Sequence, residues 1–309
     1  MLNSWNHYCF FCIVKYITFI AIIFISFVSQ AQVLDNRKGL AFTDKPFFNA
    51  DFIKENKLKK LKGTFTYKKQ GEMMRPTEYK YVYEFNEAGQ LVSTFETRTD
   101  DGTLDTTWNK YYYDDKNNLT KHSKTDKDGF LSILYTYDSL NRVITEEYVR
   151  DIDSNNRIVR SLSFNKERIK YANYGNQIKR TKYNNYDLPY LDEFINYNEL
   201  GYMVEKIERI KMTSTVYTYQ YAYNEKGKLA GIQKTSNRAD GVLEEMKFEY
   251  DELGNLEEKH IYKKGVFTTD IQILYNEKTK LLSSVITRQV STNFMMILRF
   301  LDYEFFGES

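Results

Sequence analysis

YDELGNLEEKHIY, residues 250–262, has the composition of two β-strands joined by a tight turn. An aspartate such as Asp251 can accept a hydrogen bond from the backbone two residues further on, which predicts the start of a type I turn. Gly254 takes the left-handed conformation that a bulged hairpin loop requires. Leu256 then restarts the alternation of apolar and polar residues in the return strand. The stretch therefore predicts a β-hairpin.

The same pattern occurs at seven places along the chain. The copies are YEFNEAGQLV (83–92), YYDDKNNLT (112–120), YTYDSLNRVI (135–144), NYNELGYMV (196–204), YAYNEKGKLA (221–230), FEYDELGNLE (248–257) and ILYNEKTKLL (273–282). The anchoring aromatic residues are Phe85, Tyr113, Tyr137, Tyr197, Tyr223, Tyr250 and Tyr275, spaced by 28, 24, 60, 26, 27 and 25 residues. The gap of 60 indicates a degenerate copy around Phe164 or residues 173–178. A period of about 26 residues is typical of a repeat architecture.

Each copy carries the residues that a turn needs. An acid or amide begins the turn at Asn86, Asp138, Asn198, Asn224, Asp251 and Asn276, and glycine follows at Gly89, Gly201, Gly227 and Gly254. Asn118 and Asn141 are expected to replace the glycine in two copies. A second turn follows about half a period later in DDGTL (100–104), DKDGFL (126–131), RADGVL (238–243) and KKGVF (263–267). The alternation of strands and turns predicts an all-β fold, an elongated antiparallel meander of repeated hairpins.

Tyrosines alternate with polar residues before the turns. Tyr79, Tyr81 and Tyr83 share one face of a strand because side chains in a strand have a period of two. We expect most of these rings to form the core, since a repeat must bury apolar surface to be stable. Rings beside the turns are the alternative, as a binding surface for a glycan or a protein, and Tyr202 and Tyr262 are the candidates.

The copies resemble a known repeat. The pattern Y-D-x-x-G-x-L is similar to the YD repeat of the Rhs and teneurin proteins, over roughly residues 64–285. In large members of that family the repeats form a β shell around a toxic C-terminal domain. This chain is short for such a shell, and its end, TRQVSTNFMMILRFLDYEFFGES, has neither a toxin-like domain nor a self-cleavage signature. The resemblance implies the fold of the unit and not the shell function.

The two ends of the chain differ from the repeats. Residues 1–31 have the layout of a secretory signal peptide cleaved after Ala31; an uncleaved anchor over Tyr8–Val28 is the alternative. We expect residues 32–63 to form an N-terminal cap of loop and short helix with Asn49 as N-cap. Residues 64–285 are the predicted repeat domain, and residues 286–309 the predicted C-terminal capping strands. The signal-like segment predicts an exported protein that is periplasmic, associated with the outer membrane or extracellular. We expect no membrane span after cleavage.

Composition excludes several classes of partner and cofactor. The chain has 44 Lys and Arg against 42 Asp and Glu, which excludes nucleic-acid binding driven by bulk charge. Cys9 and Cys12 precede the cleavage point, and His122 and His260 are far apart in sequence, so we expect no metal site and no cofactor. The acidic segment DIDSNN (151–156) begins like a calcium loop but lacks the later ligands, and an ordinary polar turn is the stronger interpretation.

These observations favour an exported, non-enzymatic β-repeat protein that is a structural or binding element of the cell envelope for a glycan or a protein. Paired acids such as Glu146 with Glu147 point to opposite faces of a strand and cannot act together on one bond. One alternative is a secreted carbohydrate-active hydrolase or lyase with carboxylates dispersed over one sheet face. A second alternative is an accessory of an Rhs-type toxin system. A free strand edge also predicts an edge-to-edge homodimer.

Overall fold

The structure is a computed structural model that describes residues 32–100, 102–126, 129–154 and 157–307. The predicted signal peptide lies outside the described residues. The described residues form a helix, α1 (Ala50–Glu55), and eighteen β-strands. The strands are β1 Leu58–Lys68, β2 Arg75–Phe85, β3 Leu91–Asp100, β4 Thr103–Tyr113, β5 Leu119–Asp126, β6 Gly129–Tyr137, β7 Val143–Ser154, β8 Arg157–Tyr174, β9 Gln177–Tyr183, β10 Pro189–Tyr197, β11 Met203–Ile210, β12 Thr215–Tyr223, β13 Leu229–Ser236, β14 Ala239–Tyr250, β15 Leu256–Lys263, β16 Val266–Tyr275, β17 Leu282–Gln289 and β18 Phe294–Phe305.

The strands form one antiparallel sheet that closes on itself. Each strand pairs with the next along the chain, as the hairpin repeat predicts, and β18 then pairs with β1. Phe65 of β1 lies opposite Leu298 of β18, more than 230 residues away along the chain. The predicted all-β meander of hairpins is therefore confirmed, but the prediction that the meander is elongated is wrong, because it closes into a barrel.

Closure satisfies the backbone groups at both ends of the meander. The first and last strands would each present unpaired N–H and C=O groups, and pairing them with one another removes both edges. The predicted edge-to-edge homodimer loses its premise, since the sheet of the described residues has no free edge.

The two faces of the barrel wall differ in chemistry. The inner face carries the main apolar cluster, which includes Leu61, Phe65, Tyr83 and Phe300. The alternating tyrosines of β2 and β12 also point inward, where Tyr219, Tyr221 and Tyr223 pack against that cluster. The tyrosine rings of β2 and β12 therefore lie mainly in the core, on the one face that the period of two indicates.

The outer face carries many charged side chains together with apolar ones such as Leu274 and Leu301. Lys62 of β1 forms ion pairs with Asp302 and Glu304 of β18. Similar outward pairs link other neighbouring strands: Lys60 with Glu84, Lys121 with Asp151, Lys166 with Glu147, Lys179 with Asp192, and Arg288 with Asp270. Charged side chains therefore lie on the outer face at many positions around the wall.

The N-terminal segment, residues 32–57, lies inside the barrel. Helix α1 begins after Asn49, as predicted, because the Asn49 side chain accepts hydrogen bonds from the backbone N–H groups of Asp51 and Phe52. The helix buries Phe52 and Ile53 in the apolar cluster. It also packs against the β2–β3 turn, where a Cβ added to Gly89 would overlap the carbonyl oxygen of Ala50.

The loop before α1 spans the interior between distant strands. Asn36 donates a hydrogen bond to the hydroxyl of Tyr250 in β14, at 3.1 Å. Lys259 of β15 donates from Nζ to the carbonyl oxygen of Ala41, at 3.0 Å. On the other side of the barrel, Tyr111 of β4 donates to the carbonyl oxygen of Asp44, also at 3.0 Å. These contacts show that the segment fills the interior between β13–β18 and β1–β6.

The predicted segment boundaries can be compared with the elements. Strand β1 begins at Leu58, inside the predicted cap of residues 32–63. Strand β17 begins at Leu282, before the predicted start of the capping strands at residue 286. The last strand pairs with β1 and so belongs to the wall of the barrel.

Candidate functional site in the barrel interior

The predicted turn residues lie in hairpin turns at one end of the barrel, which we call the motif end. The Asn86 side chain accepts a hydrogen bond from the backbone of Gln90, at 2.9 Å, and Gly89 has φ +79°. The other turns repeat this arrangement with Asp138, Asn198 and Gly201, Asn224 and Gly227, and Asp251 and Gly254. The assignment of Asn118 to the left-handed position was wrong: Asn117 has φ +64°, and Asn118 donates its backbone N–H to Asp114.

Five of the anchoring tyrosines, together with Tyr171 and Tyr303, have a second role that spacing alone does not reveal. Each of seven tyrosine hydroxyl groups donates to the carbonyl oxygen of the first residue in an earlier return strand, at 2.7–2.9 Å. The pairs are Tyr113 with Leu91, Tyr137 with Leu119, Tyr171 with Val143, Tyr223 with Met203, Tyr250 with Leu229, Tyr275 with Leu256, and Tyr303 with Leu282.

Tyr171 also locates the degenerate copy. It precedes the β8–β9 hairpin at residues 174–177, within the range 173–178 that the gap in the repeat indicated, and Gly175 there has φ +62°. The sequence signal for these bonds is the choice of tyrosine over phenylalanine at the anchor. The hydroxyl groups of these tyrosines therefore connect consecutive hairpins and are not available to bind a ligand.

The two tyrosines proposed for binding lie apart. Tyr202 is in the β10–β11 turn at the motif end, 36% exposed, with its ring centroid 4.8 Å from that of Tyr223. Tyr262 lies near the opposite end of β15, stacked on Phe267 at 5.0 Å and covered by Lys247. The structure does not bring Tyr202 and Tyr262 together into one site.

A set of charged side chains lies on the inner face of β7–β10, which we call the interior charge cluster. Its members are Glu146, Glu167, Arg180, Lys182, Tyr190 and Glu193. Lys182 lies at the centre, with Nζ 2.9 Å from Glu146 Oε2 and 3.5 Å from Glu167 Oε2. Burial, followed by the neighbouring Glu167, raises the pKa of Tyr190.

Two atoms of the interior charge cluster have no hydrogen-bond partner in the protein. Glu193 is 7% exposed, and its Oε2 lies 3.3 Å from Nε of Arg180, but the geometry does not make a hydrogen bond. Neither atom has another partner among the described residues. Buried polar atoms without a partner carry a free-energy penalty and mark positions where water or a ligand atom can bind.

Burial and neighbouring charges shift the pKa of Lys182 and that of the nearby phenol Tyr148 upward. Burial lowers the pKa of Lys182, but Glu146, Glu167 and Glu193 outweigh this effect and raise it. Burial, followed by Glu146 and Glu167, raises the pKa of Tyr148 to about 12. The phenols are therefore hydrogen-bond donors at neutral pH.

The polar inner wall continues onto β11 and β12. The hydroxyl of Tyr219 donates to Glu208 at 3.0 Å, and Lys206 donates to the same carboxylate at 2.7 Å. The ammonium of Lys206 also lies 4.1 Å from the centroid of the Tyr219 ring. Tyrosine rings and ionised groups thus alternate on the inner wall away from the N-terminal segment.

The histidines and acidic segments of the sequence occupy other positions. His122 is buried inside the barrel, stacked on Tyr111 at 4.8 Å. Asp151 is in strand β7 rather than in a loop and accepts from Lys121, Ser132 and Ser161, whereas Asn155 and Asn156 lie outside the described residues. On the outer face, donor atoms of Glu249, Glu258 and His260 lie within 4.8 Å of one another.

Comparisons with known proteins gave structural likenesses only. No family model and no curated protein matches the chain. Among solved structures, a porin-like protein from Bacteroides uniformis is 10% identical, with 79% of this chain and 98% of that chain covered and a TM-score of 0.38. A porin-like protein from Bacteroides vulgatus is 7% identical, with 79% and 97% covered and a TM-score of 0.30.

A third similar structure is that of TcdB2-TccC3, which is 11% identical, with 75% of this chain but 15% of that chain covered and a TM-score of 0.22. Because these TM-scores are under 0.5, the likenesses carry no argument about this chain. None of the helical residues that the structure describes forms a segment with the length and hydropathy to cross a membrane.

The interpretation of the chain as a YD-repeat protein of the Rhs and teneurin type was wrong. The eighteen strands close into a barrel, which differs from the shell of that family, and no family model matches. The repeated turn motif is explained by physical requirements that any series of such hairpins shares. An acid or amide begins each turn, a residue with positive φ ends it, and a tyrosine hydroxyl bonds the neighbouring hairpin.

Proposed function

We propose that this chain is a non-enzymatic β-barrel of the cell envelope that binds a glycan on the inner wall of β7–β12. The interior charge cluster, in which the buried Glu193 Oε2 and Arg180 Nε face each other at 3.3 Å without a hydrogen bond, is the observation that carries the proposal. Carboxylates accept hydrogen bonds from sugar hydroxyl groups, and Arg180 and Lys182 donate to ring and hydroxyl oxygens. Tyrosine rings beside them offer an apolar surface for the face of a sugar ring.

The side of the interior next to β7–β12 is the side that the N-terminal segment and the apolar cluster leave free for a ligand. The N-terminal segment and the apolar cluster occupy the interior next to β1–β6 and β13–β18. The side chains of Arg180, Lys182 and Glu146 retain 23%, 14% and 16% of their exposure, so water reaches them. An interior wall of this kind suits a small or extended polar ligand better than the surface of a folded protein.

The charged side chains of the outer face favour a barrel whose wall contacts water within the envelope. A barrel in a lipid bilayer presents an apolar band about 25 Å tall on its outer face. Here the outer face carries ion pairs such as Lys62 with Asp302 and Glu304 along the strands. Together with the signal-like N-terminus, this favours export to the periplasm or beyond, with the barrel wall in contact with water rather than lipid.

Two adjacent residues provide the test. Glu146 points inward to Lys182, whereas Glu147 points outward to Lys166, on the same strand. A glycan array followed by titration calorimetry should identify a ligand whose affinity falls about tenfold or more in Glu146→Gln and stays unchanged in Glu147→Gln. Equal losses in both variants, or no glycan bound by the folded protein, would contradict the proposal.

A carbohydrate-active hydrolase is the second candidate, and one observation favours it. Glu146, Glu167 and Glu193 come from three strands and converge on one inner wall beside tyrosines. However, glycoside hydrolysis needs a carboxyl group that is free to protonate the leaving group. Glu146 and Glu167 instead both face the ammonium group of Lys182, at 2.9 and 3.5 Å. Release of reducing sugar that is abolished by Glu167→Gln would establish the hydrolase instead of the binding protein.

A further inference from the structure

We propose a binding site for a divalent transition-metal ion such as Zn²⁺ on the outer face of β14–β16, formed by Glu249, Glu258 and His260. This site is independent of the interior and of the proposed function. Donor atoms of the three side chains lie within 4.8 Å of one another. An imidazole nitrogen with two carboxylate oxygens is a donor set that zinc accepts.

The strand register creates this cluster. Glu249 of β14 lies directly opposite Glu258 of β15, and Asp270 of β16 lies directly opposite His260. Like charges opposite each other in neighbouring strands destabilise a sheet, so a bound cation would remove a penalty that the fold otherwise carries. Since Glu258 and His260 are two residues apart, they point to the same face.

The spacing of the donor atoms fits a small cation. His260 Nε2 lies 3.1 Å from Glu258 Oε2 and 3.4 Å from Asp270 Oδ1. Ligands at about 2.0 Å from a tetrahedral zinc ion lie about 3.3 Å from one another. Small adjustments of the more exposed Glu249 would complete the set.

Asp270 provides a second observation that points to a ligand. It is 4% exposed, and its Oδ1 faces the imidazole nitrogen but has no hydrogen-bond partner among the described residues. Its other oxygen, Oδ2, accepts two hydrogen bonds from Arg288, at 2.9 and 3.1 Å, which hold the carboxylate in place. Oδ1 is therefore the nearest buried donor for a fourth position on the metal.

The test is a zinc titration of the complete chain with Cys9 and Cys12 replaced by serine, so that no thiol contributes. Calorimetry should give one Zn²⁺ per chain and a rise in the unfolding temperature on zinc addition. His260→Ala and Glu258→Gln should each weaken zinc binding at least tenfold. Glu245→Gln is the matched control, because Glu245 lies on the same outer face of β14 but outside the cluster, and it should bind zinc as the parent does.

Three results would overturn the proposal. One is no zinc uptake by the folded parent at about 100 μM metal. Another is equal zinc affinity in the parent and in folded Glu258→Gln, which keeps the shape of the side chain if His260→Ala unfolds. The third is a preference for Ca²⁺ over Zn²⁺ that His260→Ala leaves unchanged, since the imidazole would then not be a ligand.

Discussion

The anchoring tyrosines act through their hydroxyl groups as well as through their rings. Tyr113 is half-buried on the inner face, and its hydroxyl donates to the carbonyl oxygen of Leu91, at 2.8 Å. The same bond recurs in the hairpins that follow, so each unit is attached to an earlier one near the motif end. A phenylalanine at the anchor retains the ring but leaves that carbonyl group without this donor.

Tyr113→Phe should lower the free energy of unfolding by about 1 kcal/mol, the usual net contribution of one such hydrogen bond. Urea denaturation measures this change. Tyr186→Phe is the control, because Tyr186 is 82% exposed in a loop, and we expect no change there. Equal stability of Tyr113→Phe and the parent would show that the ring alone matters.

His122 gives the barrel a pH dependence in the acid range. Burial, followed by the charge of Lys45, lowers the pKa of His122 from 6.5 to about 4. Between these values the unfolded chain binds a proton that the folded chain does not, so His122 destabilises the fold as pH falls from 6.5 to 4. This destabilisation is fully present below about pH 4.

His122→Gln should therefore flatten the stability curve between pH 6.5 and 4 relative to the parent. The measurement is chemical denaturation across that pH range, with the parent and the variant compared at each pH. A parallel loss in both proteins would mean that other groups, such as the paired carboxylates, account for the acid sensitivity.

At the scale of elements, the motif turns are alike locally but differ in their neighbours. Gly89 and Gly201 both have φ +79°. A Cβ at Gly201 meets nothing within 4 Å, whereas at Gly89 it would overlap the backbone of Ala50 in α1. A substitution at Gly201 therefore measures the backbone strain of the turn alone. A substitution at Gly89 measures that strain together with the contact of α1 with the turn.

Both Gly201→Ala and Gly89→Ala should lose about 1 kcal/mol or more from the positive φ. Gly89→Ala should lose about 2 kcal/mol in addition, because the clash displaces α1 from the barrel. Thermal and urea unfolding of the two variants measure the difference. Equal losses would contradict the contact between α1 and the β2–β3 turn.

The hairpins could be predicted from sequence because their determinants are local. Asp251 and Gly254 lie three residues apart, and the tyrosines that share a face are two residues apart. Asn117 was missed because two adjacent asparagines both tolerate positive φ, and only the register of β4 and β5 selects the first. The interior charge cluster was also missed, since its members lie in sequence regions without a repeated motif.

At the scale of the whole molecule, long-range pairing decides between an open sheet and a barrel. Nothing near β1 or β18 in the sequence specifies their pairing, which depends on the accumulated twist of all intervening hairpins. The same holds for the outer-face cluster, where His260 and Asp270 meet only through the register of β15 and β16. The interior site and the outer face both depend on closure, because closure defines an inside.

Closure is therefore the property to measure first. Thr64 of β1 and Arg299 of β18 lie directly opposite each other on the outer face. In a chain with Cys9 and Cys12 replaced by serine, we predict that Thr64→Cys with Arg299→Cys forms an intramolecular disulfide under mild oxidation, since paired strand positions lie within bridging distance. The pair Thr64→Cys with Gln233→Cys, which lies on unpaired strands, should remain reduced. A folded protein in which the first pair also stays reduced would contradict the closed barrel.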